Sequence, residues 1–188
     1  MQYLKEEVRK KILKVALEEF YQLGYLQTNM RNVARKCMMT VGNIYRYYKN
    51  KEELFVAITS EAYEQIKLLL ANPEYIEIDF FQNHENLDRL TDKLLDVAKK
   101  YPKELIVILK KSDGFIFETI EKEVETLIAR RIMKESIRVG KQKAMMIASL
   151  VLHGLTRIFE VFGENPKKMK EEIVALLIFL FYDLEDRV

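Results

Sequence analysis

The chain has 188 residues, 49% hydrophobic and 32% charged, with a formal net charge of only +2, enough for one or two compact domains with a real core. Six Gly, three Pro and no Trp are too few turn residues for a sandwich or barrel, so helices are favoured. One cysteine (Cys37) and two histidines (His84, His153) exclude a disulfide framework and a cysteine-based zinc site, and leave little for a catalytic or metal centre; no metal and no cofactor are expected.

In chain order, the opening residues MQYLKEEVRKK are charged and lack the apolar centre of a signal peptide. Residues 4–23 then read as an amphipathic helix: Ile12, Ala16 and Phe20 recur at helical spacing, with Leu13 and Leu17 alongside. Gly24 stands where a left-handed C-terminal cap belongs. Asn29, with Thr28 as a second candidate, caps a short helix over 30–37 whose inner face is Val33, Ala34 and Cys37. After a turn at Met38–Met39, Thr40 caps a third helix over 41–47, and Asn50 caps a fourth over 51–70.

Residues 71–84 break the pattern at Pro73 and read as a connecting segment. Helical spacing returns over 86–100, and Pro102 opens a further helix to 111 as a first-turn proline. Ser112-Asp113-Gly114 is a turn, and 115–139 is a long helix ended by Gly140. Residues 142–162 form the next helix, and Asn165-Pro166 starts a last one to about 185. Its run from Ile173 to Tyr182 is ten apolar residues, about half a membrane span, so it reads as a buried helix. The expectation is an all-α, cytoplasmic chain with no membrane partner.

Charge is uneven along this series. Residues 1–51 carry eleven Lys or Arg against four Glu, a balance of +7, which leaves −5 for the remainder of a chain whose total is +2. A basic N-terminal quarter on an acidic body fits a nucleic-acid surface, and it also fits an ordinary solvated helix face. Two short helices joined by a tight turn, behind a longer bracing helix, describe a helix-turn-helix. A helix with its side chains is about 10–12 Å across and the DNA major groove about 12 Å wide, so the second short helix fits as the reader.

The segments ILKVALEEFYQLGY and TNMRNVARKCMMTVGNIYRYYKNKEEL resemble the DNA-binding domain of the TetR (tetracycline repressor-like) family of transcriptional regulators. The matching positions are Ile12, Leu13, Ala16, Phe20, Gly24, Tyr25, Ala34, Gly42, Tyr45, Tyr47, Lys51 and Leu54, with Val33, Ile44 and Tyr48 as like-for-like replacements. The resemblance spans about residues 6–66 and is most specific in the stretch from Gly42 to Lys51. It implies a three-helix DNA-binding domain at 1–50, with the helix-turn-helix at 29–48, and a helical effector-binding and dimerisation domain at 51–188. It further implies a homodimeric regulator, a repressor released from an inverted-repeat operator by a small apolar or amphipathic effector, and no enzyme. One departure is Met38, where the family has glycine: a left-handed methionine costs on the order of 1 kcal/mol. Either a buried side chain offsets that cost or the turn differs.

Roles follow from side-chain chemistry. The cap at Asn29 and Thr28 leaves backbone N–H groups for a phosphate, and Arg31 reaches a phosphate or a base. Thr40, Val41 and Asn43 start the reading helix; Asn43 suits an adenine edge and Val41 a thymine methyl. Gly42 lets the backbone approach DNA, Tyr45 and Tyr47 offer hydroxyls to phosphates, and Lys51 offers its ammonium. Arg46 is either a contact or a solvated charge, and Tyr45 either a contact or a packing residue. Ile44 and Tyr48 belong to the core, and Arg35 and Lys36 read as solvent charges.

Beyond the head, Met145, Ala148, Leu152, Leu155 and Phe159 stripe one helix, and Met169, Ile173, Leu176 and Leu180 the last. A terminal helix apolar nearly all round buries both faces between its own core and something else. The expected partner is a second copy, through residues 142–185, in a four-helix bundle. His153 is either an effector contact or a core histidine. Phe115, Phe117, Met133, Met145 and Met146 either line a pocket or are plain core. Two other functions compete: an enzyme, for which no nucleophile–base pair or phosphate loop is visible, and a helical interaction protein that does not bind DNA.

Overall fold

A computed structural model describes residues 2–71, 84–112, 114, 118–135 and 138–181, and among these there is no strand. The helices are α1 (Gln2–Gln27), α2 (Met30–Lys36), α3 (Val41–Tyr45), α4 (Lys51–Ala71), α5 (His84–Lys100), α6 (Pro102–Lys110), α7 (Glu118–Glu135), α8 (Lys141–Phe162) and α9 (Pro166–Phe181). The all-α expectation holds. The connecting segment expected over 71–84, apart from its two ends, and Phe115 and Phe117 lie outside the described residues.

Packing divides the chain into two compact units, Met1–Tyr63 with Lys103–Thr119, and Glu64–Pro102 with Ile120–Val188. The first unit therefore includes residues 103–119, which nothing in the local sequence assigns to the head. α6 enters it through Val107, fully buried among Ile12, Phe20, Ile44, Tyr48 and Phe55. The rings of Phe20 and Phe55 meet edge to face at 5.1 Å, and Tyr25 joins them at 5.9 and 5.3 Å. Such ring pairs stabilise by roughly 0.5–1.5 kcal/mol beyond their burial.

Gly24 is the hinge of α1. The chain turns there at φ +75°, the left-handed region expected for it, and one further helical turn follows to Gln27. The Tyr25 N–H freed by this break donates to the Lys111 carbonyl at 2.7 Å, so the end of α6 closes the end of α1.

In the second unit α9 packs against both α8 and α5. α8 and α9 pack tightly at Gly154, where a Cβ would lie 2.7 Å from the Leu176 side chain. The inner face of α8 is Ala144, Ile147, Ala148, Val151, Leu152, Leu155 and Ile158. That of α9 is Met169, Ile173, Leu177 and Phe181. Ala148, Leu152 and Leu155 are thus buried within the chain itself, and the apolar groups left outside on these two helices are Met146, Leu150, Val161 and Phe179. α8 is long and apolar enough to cross a membrane by length and composition, which is weak evidence by itself; one face of it packs on α9. The reading of His153 as a core histidine does not hold: it is exposed, and its Nδ1 lies 2.9 Å from the Ser149 carbonyl.

Candidate nucleic-acid interface

The reading head is built from three side-chain caps and one turn. Asn29 Oδ1 accepts from the Asn32 N–H at 2.9 Å at the start of α2, and Thr40 Oγ1 accepts from the Asn43 N–H at 3.3 Å at the start of α3. Asn50 Oδ1 accepts from the Glu53 N–H at 2.7 Å, while Glu53 Oε2 accepts from the Lys49 N–H at 2.7 Å. This reciprocal arrangement fixes the entry into α4 much as a capping box does.

Between α2 and α3 the chain turns at Met38, which adopts φ +56° and is the one non-glycine with positive φ among the described residues. The Met38 N–H donates to the Arg35 carbonyl at 3.0 Å and the Met39 N–H to the Ala34 carbonyl at 2.9 Å. These two bonds are the Schellman pattern, which ordinarily places glycine at the left-handed position. The family-like turn is therefore kept without the glycine. Nor is the cost offset by burying Met38, whose side chain is 84% exposed. Met39 instead packs against the head's core and supplies the apolar contact that accompanies such a turn.

α3 presents Gly42, Asn43, Tyr45 and Arg46 to solvent, with Thr40 exposed at its cap and Val41 and Tyr47 half-buried. Ile44 and Tyr48 are buried, as their spacing predicts. Nothing lies within 4 Å of a Cβ built on Gly42, and its φ is not positive. The fold itself therefore does not require glycine there. On α2, Asn29 and Arg31 are exposed. The structure thus brings Asn29, Arg31, Thr40, Gly42, Asn43, Tyr45 and Arg46 to the surface of one small unit.

Thr28 and Lys51 are used differently from the others. Thr28 is buried, and its hydroxyl donates to the Gly24 carbonyl at 2.8 Å and the Glu19 carbonyl at 3.2 Å. The cap of α2 is Asn29 alone, and Thr28 holds the α1–α2 corner. Lys51 is half-buried: its Nζ donates to the Tyr25 carbonyl at 2.7 Å and lies 4.1 Å from the centre of the Tyr25 ring. It satisfies the carbonyl end of α1, and burial pushes its ammonium below the ordinary lysine value.

Two brackets of the head escaped the sequence reading. Arg9 Nε donates to the Tyr48 hydroxyl at 3.2 Å, with the guanidinium 5.7 Å from that ring's centre, tying α1 to the residues that follow α3. Lys36, read as a solvent charge, pairs with Glu19, whose carboxylate is almost fully buried. The one signal in the sequence is Glu19 itself, which falls next to Phe20 on the inner face of the first helix. Burial pushes the Cys37 thiol up, so it stays protonated and inert.

Residues 12–58 match the family described as "Bacterial regulatory proteins, tetR family". Over 90% of this chain and 92% of the relative, the sequence is 26% identical to the HTH-type transcriptional regulator YhgD of Bacillus subtilis. Over 36% of this chain it is 35% identical to the HTH-type transcriptional repressor KstR of Rhodococcus jostii, of which it covers 32%. Among solved structures, a TetR-like transcriptional regulator from Rhodococcus sp. RHA1 superposes with a TM-score of 0.68 at 19% identity, covering 95% of this chain and 96% of that one.

Proposed function

The chain belongs to the tetR family of bacterial regulatory proteins, a family of DNA-binding transcriptional regulators, and from that premise we propose that it is a homodimeric repressor released from an inverted-repeat operator by a small molecule. In this reading residues 1–50 carry the DNA-binding domain, and the effector and dimerisation surfaces lie within 51–188, of which 51–63 and 103–119 pack with the head.

The observation that carries the DNA-binding half is the surface of α3. A capped, braced helix exposes Asn43 beside a Gly42 that the fold does not need. Asn43 reads an adenine edge, Val41 meets a thymine methyl, and Gly42 lets the backbone close on the duplex. Thr40, Tyr45, Arg46, Tyr47, Arg31 and the N–H groups at the Asn29 cap hold phosphates. Thr28 acts by placing Asn29. Lys51 joins the phosphate contacts through its third N–H, since an ammonium carries three donors and two point at the Tyr25 and Leu26 carbonyls.

Dimerisation is supported by the face α8 and α9 leave uncovered. Met146, Leu150, His153, Arg157 and Val161 repeat every three or four residues along the exposed side of α8, and Phe179 is 72% exposed on α9. A second copy covers this face by twofold symmetry, and two reading helices about 34–36 Å apart enter successive major grooves. Release needs a molecule that favours the off-operator shape, since equal affinity for both shapes shifts nothing. α4, one helix from Lys51 to Ala71, is the proposed lever.

The test is a gel shift with the DNA upstream of the protein's own gene against a random duplex. Asn43→Ala is expected to cost about 1–3 kcal/mol on the operator and little on random DNA. Equal losses on both duplexes would remove Asn43 as a base reader. No shift with either duplex would favour a helical interaction protein that does not bind DNA.

A further inference from the structure

Arg9 stands on the exposed side of α1, yet its side chain is held in place. Nε donates to the Tyr48 hydroxyl at 3.2 Å, and the guanidinium lies 5.7 Å from the centre of the same ring. Tyr48 is buried, so the core fixes its ring and its hydroxyl needs a partner at the core's edge. A phenylalanine would fill the same space without the anchoring hydroxyl. The neighbouring Lys10 has no such anchor: it lies 3.9 Å from Glu7, with both side chains more than half exposed.

The bond to Tyr48 uses one donor of five. The other four N–H groups sit on Nη1 and Nη2, in a planar fork. Among the described residues no carboxylate pairs with that fork; Glu6 and Glu53 act on it only through space, and Glu53 is engaged by the Lys49 N–H. The place of the fork matters. Tyr48 lies just past the C-terminal end of α3, after Arg46 and Tyr47 and before Lys49, and both Arg46 and Lys49 are exposed. A helix that reads bases with its N-terminal residues, here Thr40 to Asn43, leaves its other end at the edge of the groove, where the sugar-phosphate backbone runs. A phosphate there offers two oxygens to two N–H groups of the fork. Because the free protein already holds the side chain, binding does not have to freeze it.

We propose that Arg9 is a further DNA contact, clamping a backbone phosphate at the C-terminal end of α3, and that Tyr48 is the positioning residue that aims it. The inference rests on the reading of this head as DNA-binding and adds to it a contact from α1, outside the helix-turn-helix of 29–48. Arg9 reads no base, so its contribution is the same on every sequence.

The experiment titrates the full-length protein onto two duplexes, the DNA upstream of its own gene and a random sequence of equal length, by fluorescence anisotropy across a salt series. Arg9→Met is expected to weaken binding to both by the same factor, roughly tenfold, and to lower the salt slope by roughly one unit per head. A merely structural bracket would lower the melting temperature and leave the slope alone. Tyr48→Phe keeps the charge and the ring. It is expected to weaken binding by roughly threefold with the slope retained, and to add nothing to Arg9→Met. An unchanged slope in Arg9→Met, or losses from the two substitutions that simply multiply, would overturn the proposal. Should Arg9→Met strand the Tyr48 hydroxyl and fail to fold, Arg9→Met with Tyr48→Phe removes that hydroxyl and carries the same slope test. Asn43→Ala separates this proposal from the reading beneath it. Binding that depends on Asn43 but is undiminished in Arg9→Met sinks Arg9 and keeps the head as DNA-binding. No binding of either duplex by the wild-type protein overturns both.

Discussion

Replacing Met38 by glycine is expected to stabilise the protein, and the structure sets the size of the gain. Met38 sits at φ +56°, where an L side chain crowds its own carbonyl at a cost of roughly 1–2 kcal/mol. Glycine escapes that crowding but makes the unfolded chain more flexible, which returns about 0.4–1 kcal/mol. Packing adds little to either side, because the Met38 side chain is 84% exposed, close to its state in an unfolded chain. The Schellman bonds to the Arg35 and Ala34 carbonyls run through backbone N–H groups and survive the substitution. The balance is a gain of about 0.5–1 kcal/mol, which on a slope of about 2 kcal/mol per M moves a urea midpoint up by roughly 0.25–0.5 M. Met38→Ala is the control: it removes the same side-chain atoms yet keeps a Cβ in the left-handed region. Circular dichroism of wild type, Met38→Ala and Met38→Gly across a urea series reads all three. If Met38→Gly is no more stable than Met38→Ala, the backbone at this turn is not strained and the reasoning fails.

Gly42→Ala is expected to leave the free protein equally or more stable while weakening operator binding at least tenfold, because the room a Cβ needs is open until DNA arrives; a large loss of stability would mean the fold, not DNA, requires the glycine. Lys51→Ala is expected to weaken binding to all duplexes and lower the salt slope by roughly one unit. An unchanged slope with lowered melting temperature would leave Lys51 only its role at the Tyr25 carbonyl. Leu150→Glu with Phe179→Glu places like charges on the uncovered apolar face, and sedimentation is expected to show folded monomers with operator affinity lost; a normal dimer would remove this face as the interface. The Glu18 carboxyl is held below its ordinary value of 4.5, first by the hydrogen bond from Lys103. Its contribution to stability is present above pH 4.5 and is lost as pH falls through the lowered value. Both side chains are more than a third exposed, so the effect is small. Lys103→Met is expected to flatten the fall in stability as pH drops below 4.5, and an identical acid profile would refute the pairing.

Local chemistry was readable from the sequence wherever neighbours along the chain settle the outcome. Asn29, Thr40 and Asn50 announce helix starts because a short polar side chain reaches the free N–H groups two or three residues on, and the structure shows all three bonds. Gly24 announces the break in α1, and the spacing of Ile12, Ala16, Phe20, Ile44 and Tyr48 announces a core face. Met38 was legible as a departure, but its outcome was not, since exposure depends on what lies across the turn. Contacts between residues far apart in the chain were decided by tertiary packing alone. Lys51 is half-buried because the end of α1 delivers the Tyr25 carbonyl to it from 26 residues away. Lys36 meets Glu19 across 17 residues, and Thr28 turns inward because the α1 corner offers two carbonyls. The inclusion of residues 103–119 in the head, the choice of Met146, Leu150 and Phe179 as the uncovered face, and the bracket of Arg9 on the Tyr48 hydroxyl have the same origin. Helical period tells which residues share a side of one helix; which side meets another helix, and which stays outside, is set only when the helices pack.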